Sequence, residues 1–322
     1  METISLAQTK LRVSRVCFGT MTFGAQTDQA TADQMVAMCL DRGVNFFDTA
    51  NVYNQGESEV MLGKILKGRR DRVVLASKVA GKMGPAPDQA GLSAAAITRA
   101  VEDSLRRLQT DYLDLYYLHR PDYTVPLEES LGAIARLVRE GKVRQIGASN
   151  YAAWQVCRML WLADQGNFPP VSITQPMLNL LARGIEQEFL PMCREFGVTT
   201  IVYNPLAGGM LTGKQKFEAP QPGTRFDKNQ LYLDRYWHEA NFTAVQELAA
   251  TAGKAGRSLV SLALNWVLHH SAADCVILGA SRLEQLQENL DAIGEGALSA
   301  EVVAACDSLW DRLRGPSPKY NR

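Results

Sequence analysis

The sequence predicts an α/β protein, a (β/α)8 TIM barrel in which residues 1–322 form one domain. Short apolar runs alternate with stretches of helical periodicity about eight times along the chain. Polar residues repeatedly stand where an apolar run ends. In a barrel of parallel strands, the carboxyl ends of the strands share one face, and that face carries the active site.

The chain opens with a period-2 pattern and a turn at residues 8–10, which predicts an N-terminal β-hairpin that closes the barrel floor. Eight apolar runs then predict the barrel strands, at residues 16–19, 44–48, 73–78, 113–119, 143–148, 171–175, 199–203 and 275–279. Helical spacing of apolar residues predicts helices at 31–42, 93–109, 127–140 and 151–165. Ser93 is the expected N-cap of the second helix.

Two segments interrupt this alternation. Residues 206–238 form a long loop after strand 7, and long loops on the catalytic face commonly act as lids. The tail after Asp311 is rich in proline, so we expect it not to be helical.

Composition excludes several classes of function. The chain has 34 Lys and Arg against 34 Asp and Glu and no basic stripe, so we expect no nucleic-acid partner. No apolar run approaches the roughly 18 residues of a membrane span, and the N-terminus does not resemble a signal peptide. Six cysteines without CxxC spacing predict reduced thiols in a cytoplasmic protein and no metal site.

Four polar residues at or just after predicted strand ends are suited to carbonyl reduction. A buried ammonium on Lys78 needs a counter-ion, and Asp48 supplies one. A cation near Tyr53 favours the phenolate, so we expect a lowered pKa and a proton donor usable near neutral pH. His119 is placed to hydrogen-bond a substrate oxygen. No serine or cysteine nucleophile stands next to this histidine, which disfavours hydrolysis.

Each of these residues also has a simpler structural interpretation. Asp48 with Thr49 would cap the next helix, and Lys78 would be a solvated strand end. His119 would be a hydrogen-bonded core histidine. Because all four groups lie at one predicted barrel face, the functional interpretation is favoured.

Six stretches in the same order resemble the aldo-keto reductases over nearly the whole chain. They are residues 19–24, 43–53, 76–78, 118–122, 147–151 and 279–282. The resemblance implies NADPH-dependent reduction of a small-molecule carbonyl substrate by hydride transfer. It assigns Tyr53 as proton donor, Lys78 and Asp48 as residues that tune its pKa, and His119 as the residue that orients the carbonyl.

Two glycine-containing segments bear on the cofactor. No GxGxxG follows a strand, so a Rossmann fold has no support. Residues 208–215 nearly match a P-loop, but Gln215 replaces the hydroxyl residue that holds magnesium, which disfavours a triphosphatase. Ser281, Arg282 and the amides of a starting helix predict an anion pocket, and an N-capped helix with a solvated arginine is the alternative.

By resemblance, the anion pocket holds the 2′-phosphate of NADPH, and its arginine favours NADPH over NADH. Tyr203 is expected to stack on the nicotinamide. The alternative is that it only packs against neighbouring side chains. Ser149, Asn150 and Gln175 are expected to hydrogen-bond the carboxamide. The implied cofactor-binding residues are Gly19, Thr20, Met21, Asp48, Ser149, Asn150, Gln175, Tyr203, Asn204, Pro205, Leu206, Gly208, Leu211, Gly213, Lys214, Gly279, Ser281, Arg282, Gln285, Glu288 and Asn289.

Residues 175–179, 203–214, 235–237 and 320–322 most resemble the branch of aflatoxin-aldehyde and succinic-semialdehyde reductases. The resemblance implies aldehyde substrates, some with a carboxylate, and a homodimer. We expect Arg235 and Arg322 to bind that carboxylate, with disorder of the terminus as the alternative for Arg322. Arg120 departs from the branch, which often has a small residue there, and is expected at the pocket rim.

A second function, from a different class, is an NADPH-binding regulatory subunit that resembles the potassium-channel β subunits. Those proteins usually carry an additional N-terminal segment. This chain begins almost at its first predicted strand, which disfavours that function.

Overall fold

The structure, a computed structural model, describes residues 1–166 and 168–316. Two antiparallel strands, β1 (Thr3–Ser5) and β2 (Arg12–Ser14), form a hairpin ahead of a closed barrel of eight parallel strands. In order around the barrel, its strands are β3 (Val16–Gly19), β4 (Phe46–Asp48), β5 (Val74–Val79), β6 (Leu113–Leu118), β7 (Val143–Ser149), β8 (Val171–Gln175), β9 (Thr199–Val202) and β10 (Cys275–Gly279). The predicted barrel and hairpin are confirmed.

Helices pack around the outside of the barrel. They are α1 (Gln29–Asp41), α2 (Glu57–Leu66), α3 (Ala94–Leu108), α4 (Leu127–Arg139), α5 (Ala153–Gly166), α6 (Phe189–Glu195), α7 (Gln230–Tyr236), α8 (Glu239–Lys254), α9 (Leu259–His270), α10 (Leu283–Ile293) and α11 (Ala300–Arg314). The Ser93 side chain accepts a hydrogen bond from Ala96 N and caps α3, as predicted.

The barrel interior is filled by alternate residues of the strands, as the period of two requires. Phe46, Leu115, Tyr117 and Ile173 form part of this inner cluster. Leu6 and Val13 pack against it from the hairpin side. The hairpin therefore closes the floor of the barrel, as predicted, and leaves the opposite mouth open for polar side chains.

The end of the chain differs from the prediction. Helix α11 continues past Asp311 to Arg314, so the expectation that the segment after Asp311 is not helical is wrong for three residues. The helix ends at Arg314, because Gly315 leaves the helical conformation with φ 75° ahead of Pro316, which cannot continue a helix. Arg322 lies outside the described residues. Within the described chain, no helix has the length and apolarity needed to span a bilayer.

The long loop after β9 is ordered by its own buried side chains. It contains tight turns at Ala207–Thr212 and helix α7. Its side chains Phe226 and Tyr232 are buried. Tyr236 Oη accepts hydrogen bonds from Asn179 Nδ2 at 3.0 Å and Asn204 Nδ2 at 2.8 Å. These contacts hold the loop over the barrel mouth.

Candidate active site

In several strands, the alternate residues that face the barrel interior end in a polar residue at the mouth. In β5 the buried series Val74 and Ala76 continues to Lys78, and in β4 Phe46 is followed two residues later by Asp48. The same step of two leads from Tyr117 to His119 after β6. Because alternate residues of a strand share a face, the strands deliver these side chains into one space.

Lys78 is fully buried and makes three hydrogen bonds. Its Nζ atom donates to Asp48 Oδ1, to the carbonyl oxygen of Thr49 at 2.8 Å and to Tyr53 Oη at 3.1 Å. An ammonium group has three protons, so the lysine is fully satisfied. The predicted pairing with Asp48 is confirmed, and the interpretation of Lys78 as a solvated strand end is wrong.

Asp48 is buried and uses both carboxylate oxygens. Its Oδ1 accepts from Lys78 and its Oδ2 accepts from Gln175 Nε2 at 2.9 Å. Helix α2 begins nine residues further on, after Gly56 at its N-cap. The alternative that Asp48 caps the next helix is therefore wrong.

The pKa of Tyr53 shifts in the direction opposite to the prediction. Burial raises the pKa of Tyr53 above its usual value of 10, Lys78 opposes this shift, and Asp48 adds to it. The expectation of a lowered pKa is wrong for the free protein, because desolvation of the phenolate outweighs the cation. For Lys78, burial lowers the pKa, but Asp48 and Tyr53 raise it more, so the lysine keeps its charge.

His119 lies beside Tyr53 as a neutral imidazole. The two rings meet edge to face, with centroids 5.9 Å apart and an interplanar angle of 77°. Burial, Lys78 and Arg120 lower the pKa of His119 to about 3. A neutral histidine has one N–H to donate toward a substrate oxygen.

The residues predicted to hold the carboxamide are brought together by a chain of hydrogen bonds. Ser149 Oγ donates to the Gln175 carbonyl oxygen at 2.9 Å, and Tyr203 Oη donates to Asn150 Oδ1 at 2.8 Å. Asn150 Nδ2 donates to the His119 carbonyl oxygen at 2.9 Å. The sequence did not indicate that Gln175 binds Asp48.

The loop after β9 forms a run of tight turns. Asn204 Oδ1 accepts from Gly208 N at 2.7 Å, and Gly208, Gly209 and Gly213 have positive φ. No long helix follows residues 208–215 directly, so the loop lacks the strand–loop–helix geometry of a P-loop. The side chains of Pro205 and Leu211 are buried, which leaves backbone groups, Leu206 and exposed Lys214 facing outward.

Beside the end of β10 lies a cleft of about 550 Å³, lined by residues 281–284, by the segment 24–28 and by the start of α1. The helix α10 begins just after Arg282, as predicted. Gln285 Oε1 accepts from Ser281 N at 3.1 Å and from Ser281 Oγ at 3.0 Å. One turn on, Glu288 is exposed and Asn289 is buried.

The turn after β3 is closely packed against its neighbours. A Cβ atom at Gly19 would lie 2.8 Å from Ile277 Cγ2, so the strands approach too closely for a side chain. Thr20 is buried and its Oγ1 lies 2.8 Å from Ser58 Oγ, whereas Met21 is exposed. The Thr20 hydroxyl is therefore held by the interior and not directed to the mouth.

Three arginines lie around the mouth, and the sequence missed one of them. Arg225 Nη1 donates to Tyr232 Oη at 3.0 Å, and its charge acts to lower the pKa of Tyr53. It comes from the long loop after β9, and no sequence pattern marks it. Burial raises the pKa of Tyr203, and the charge of Arg235 opposes this shift. Arg120 adds to burial and Lys78 in lowering the pKa of His119. Arg120 and Arg235 thus lie near the residues that the sequence predicted for the site.

The fold and this group of side chains define a (β/α)8-barrel enzyme whose reactive groups lie at the carboxyl ends of neighbouring strands. The chain belongs to the aldo/keto reductase family, whose family model matches residues 15–311. As a member, it is an NAD(P)-dependent oxidoreductase.

Several curated proteins are similar over nearly their whole length. Aflatoxin B1 aldehyde reductase member 2 of Homo sapiens is 40% identical over 97% of this chain and 90% of its own. The uncharacterized oxidoreductase YrpG of Bacillus subtilis is 36% identical over 99% of both chains. A probable voltage-gated potassium channel subunit beta of Arabidopsis thaliana is 34% identical over 94% of both chains. The predicted family and branch are confirmed.

Proposed function

We propose that this protein reduces aldehydes with NADPH and that Tyr53 donates the proton. The supporting observation is the hydrogen bond of 3.1 Å from Lys78 Nζ to Tyr53 Oη. An ammonium group only donates, so the tyrosine oxygen is the acceptor. The hydroxyl proton of Tyr53 is then directed away from Lys78 and is free for a substrate oxygen.

The residues around the mouth suit the nicotinamide cofactor. Asn150 and Tyr203 lie beside His119, where they would hold the nicotinamide end. Ser281 and Arg282 line the cleft beside β10, where a cation and helix amides would hold the 2′-phosphate. When bound, NADPH supplies the hydride for the carbonyl carbon.

The side chains of the mouth carry the proton transfer. As negative charge develops on the carbonyl oxygen, Tyr53 gives up its proton, and the phenolate that forms lies against the Lys78 ammonium. The raised pKa keeps Tyr53 protonated before the reaction. Asp48 holds the ammonium in place, and neutral His119 donates a hydrogen bond to the carbonyl oxygen.

The arginines at the mouth favour aldehydes that also carry a carboxylate. Arg235 is partly buried, and its guanidinium carbon lies 5.8 Å from the centroid of the Tyr232 ring. Arg120 is exposed at the rim after β6. A guanidinium fork matches a carboxylate better than any other cationic side chain does.

The test is Tyr53→Phe, which removes only the hydroxyl. We expect kcat with 4-nitrobenzaldehyde to fall by at least about 100-fold, as for loss of a general acid. NADPH should still quench the tryptophan fluorescence. Tyr116→Phe is the matched control, because it removes a buried hydroxyl that has no hydrogen-bond partner among the described residues. Undiminished turnover by Tyr53→Phe contradicts the proposal.

The regulatory-subunit function is the second candidate, and the similarity to the Arabidopsis channel subunit is the observation that favours it. The same purified protein separates the two functions. Turnover of a panel of aldehydes with NADPH supports the reductase, whereas tight NADPH binding without turnover supports the regulatory subunit.

A further inference from the structure

We propose that Asn54 is a positioning residue that holds Tyr53 in place by tying it to the turn after β3. The proposal rests on the proposed function of Tyr53. Asn54 directly follows Tyr53, and its Nδ2 donates to the carbonyl oxygens of Met21 at 3.0 Å and Phe23 at 2.6 Å. One amide group therefore connects the segment of the proton donor to a turn that starts 34 residues earlier at Thr20.

The backbone after Tyr53 is strained. Asn54 has φ 49°, Gln55 has φ 56° and Gly56 has φ 95°. Left-handed backbone is disfavoured for residues with a Cβ atom, and asparagine tolerates it better than most. Such a segment persists only where its surroundings hold it. The side chain of Gln55 is exposed and forms no hydrogen bond within the described residues, so the tether from this segment is Asn54.

The turn after β3 is itself a firm support for this tether. Ser58 Oγ donates to the Thr20 carbonyl oxygen at 2.8 Å. A Cβ atom at Gly24 would lie 2.7 Å from Glu57 Cβ, so the turn packs directly on the start of α2. The contacts of Ser58 and Glu57 attach helix α2 to this turn. The contacts of Asn54 attach the segment directly after Tyr53 to it.

The placement has a consequence for catalysis. Residues 19–21 are expected to lie at the cofactor, and Asn54 joins them to the proton donor. Without the tether, the strained turn relaxes and Tyr53 Oη moves away from Lys78 Nζ. Proton donation then becomes slow relative to the other steps, because a displacement of about 1 Å of a reacting group can cost about 100-fold in rate.

Three variants separate the hydrogen bonds from the backbone. Asn54→Gly keeps access to the left-handed conformation and removes both donors. Asn54→Asp keeps the shape and replaces the donor by an acceptor. Gln55→Gly is the matched control, because it makes the same backbone change one residue later without removing a hydrogen bond.

We expect kcat for 4-nitrobenzaldehyde to fall about 10-fold to 100-fold in both Asn54 variants and to stay within about twofold in Gln55→Gly. The solvent deuterium isotope effect on kcat should increase in the Asn54 variants, because proton donation becomes rate-limiting. A merely structural role would lower the melting temperature and leave the isotope effect unchanged. Wild-type kcat with an unchanged isotope effect in Asn54→Gly overturns the proposal.

Crystal structures of the wild type and of Asn54→Gly test the positioning without turnover. We expect the distance between Tyr53 Oη and Lys78 Nζ to exceed hydrogen-bonding range in the variant. If the wild type reduces no aldehyde, the proposed function fails, and these structures still decide the role of Asn54. An unmoved Tyr53 in Asn54→Gly overturns that role.

Discussion

Gln175 Nε2 donates a hydrogen bond of 2.9 Å to Asp48 Oδ2 and so connects β8 to β4 across the barrel mouth. Both residues are buried. Because Lys78 occupies the other oxygen of Asp48, the carboxylate has a partner on each side. Gln175 thus orients the aspartate that fixes the lysine, in addition to the cofactor contact that the family resemblance implies.

Removing this amide should cost stability. We expect Gln175→Leu to lower the free energy of unfolding by about 1–3 kcal/mol, because it leaves a buried carboxylate oxygen without its donor. Gln287→Leu is the control, since Gln287 makes an exposed hydrogen bond of 2.7 Å to Asp291 and should matter by less than about 0.5 kcal/mol. Urea unfolding measures both. Equal losses in the two variants would refute a special role for the Gln175 bond.

The low pKa of His119 predicts a particular pH dependence of stability. The folded protein holds His119 neutral down to about pH 3, whereas the unfolded chain takes up its proton near pH 6.5. The unfolded state therefore binds more protons between these values, and stability falls as the pH falls through this window. His119→Asn should lose less stability than the wild type between pH 7 and pH 4.5. Urea unfolding at the two pH values measures both losses, and an equal loss of stability in His119→Asn and the wild type would contradict the assignment.

Arg282 should distinguish NADPH from NADH. It is exposed just after β10, directly before the start of α10, and lines the cleft. We expect Arg282→Ala to weaken NADPH binding by about 10-fold to 100-fold and to leave NADH binding nearly unchanged, as for loss of a charge-assisted hydrogen bond. Fluorescence titration measures both constants. Arg158→Ala, on the outer surface of α5, is the control. Equal weakening for both cofactors would exclude a 2′-phosphate contact.

Arg235 should act on the substrate carboxylate. We expect Arg235→Ala to raise KM for succinic semialdehyde by about tenfold or more and to leave KM for uncharged 4-nitrobenzaldehyde unchanged. A chain shortened to Asn321 tests Arg322 in the same way. Steady-state kinetics with both aldehydes measure the difference. If neither change alters the ratio of the two KM values, the carboxylate is bound elsewhere.

The period of two along buried strands located much of the site in advance. Asp48, Lys78 and His119 each stand at or just after the carboxyl end of an apolar run. Because parallel strands end at one face of a barrel, their convergence followed from the sequence pattern and the fold class together. Tyr53, in the loop just after β4, was predicted with them, and the family resemblance then added the cofactor loops, which lie outside the strands.

Other features depended on where the loops run in space. Asn54 and Arg225 carry no sequence signal. The contact of Asn54 with Phe23 joins segments that local patterns do not relate, and Arg225 contacts Tyr232 within the irregular loop after β9. The pKa of Tyr53 was wrongly predicted because its sign depends on a balance between burial and the charge of Lys78. Sequence periodicity thus determined which residues end the strands. Only the tertiary structure decided how much water they keep and which partners reach them, because desolvation and hydrogen bonding depend on distances across the chain.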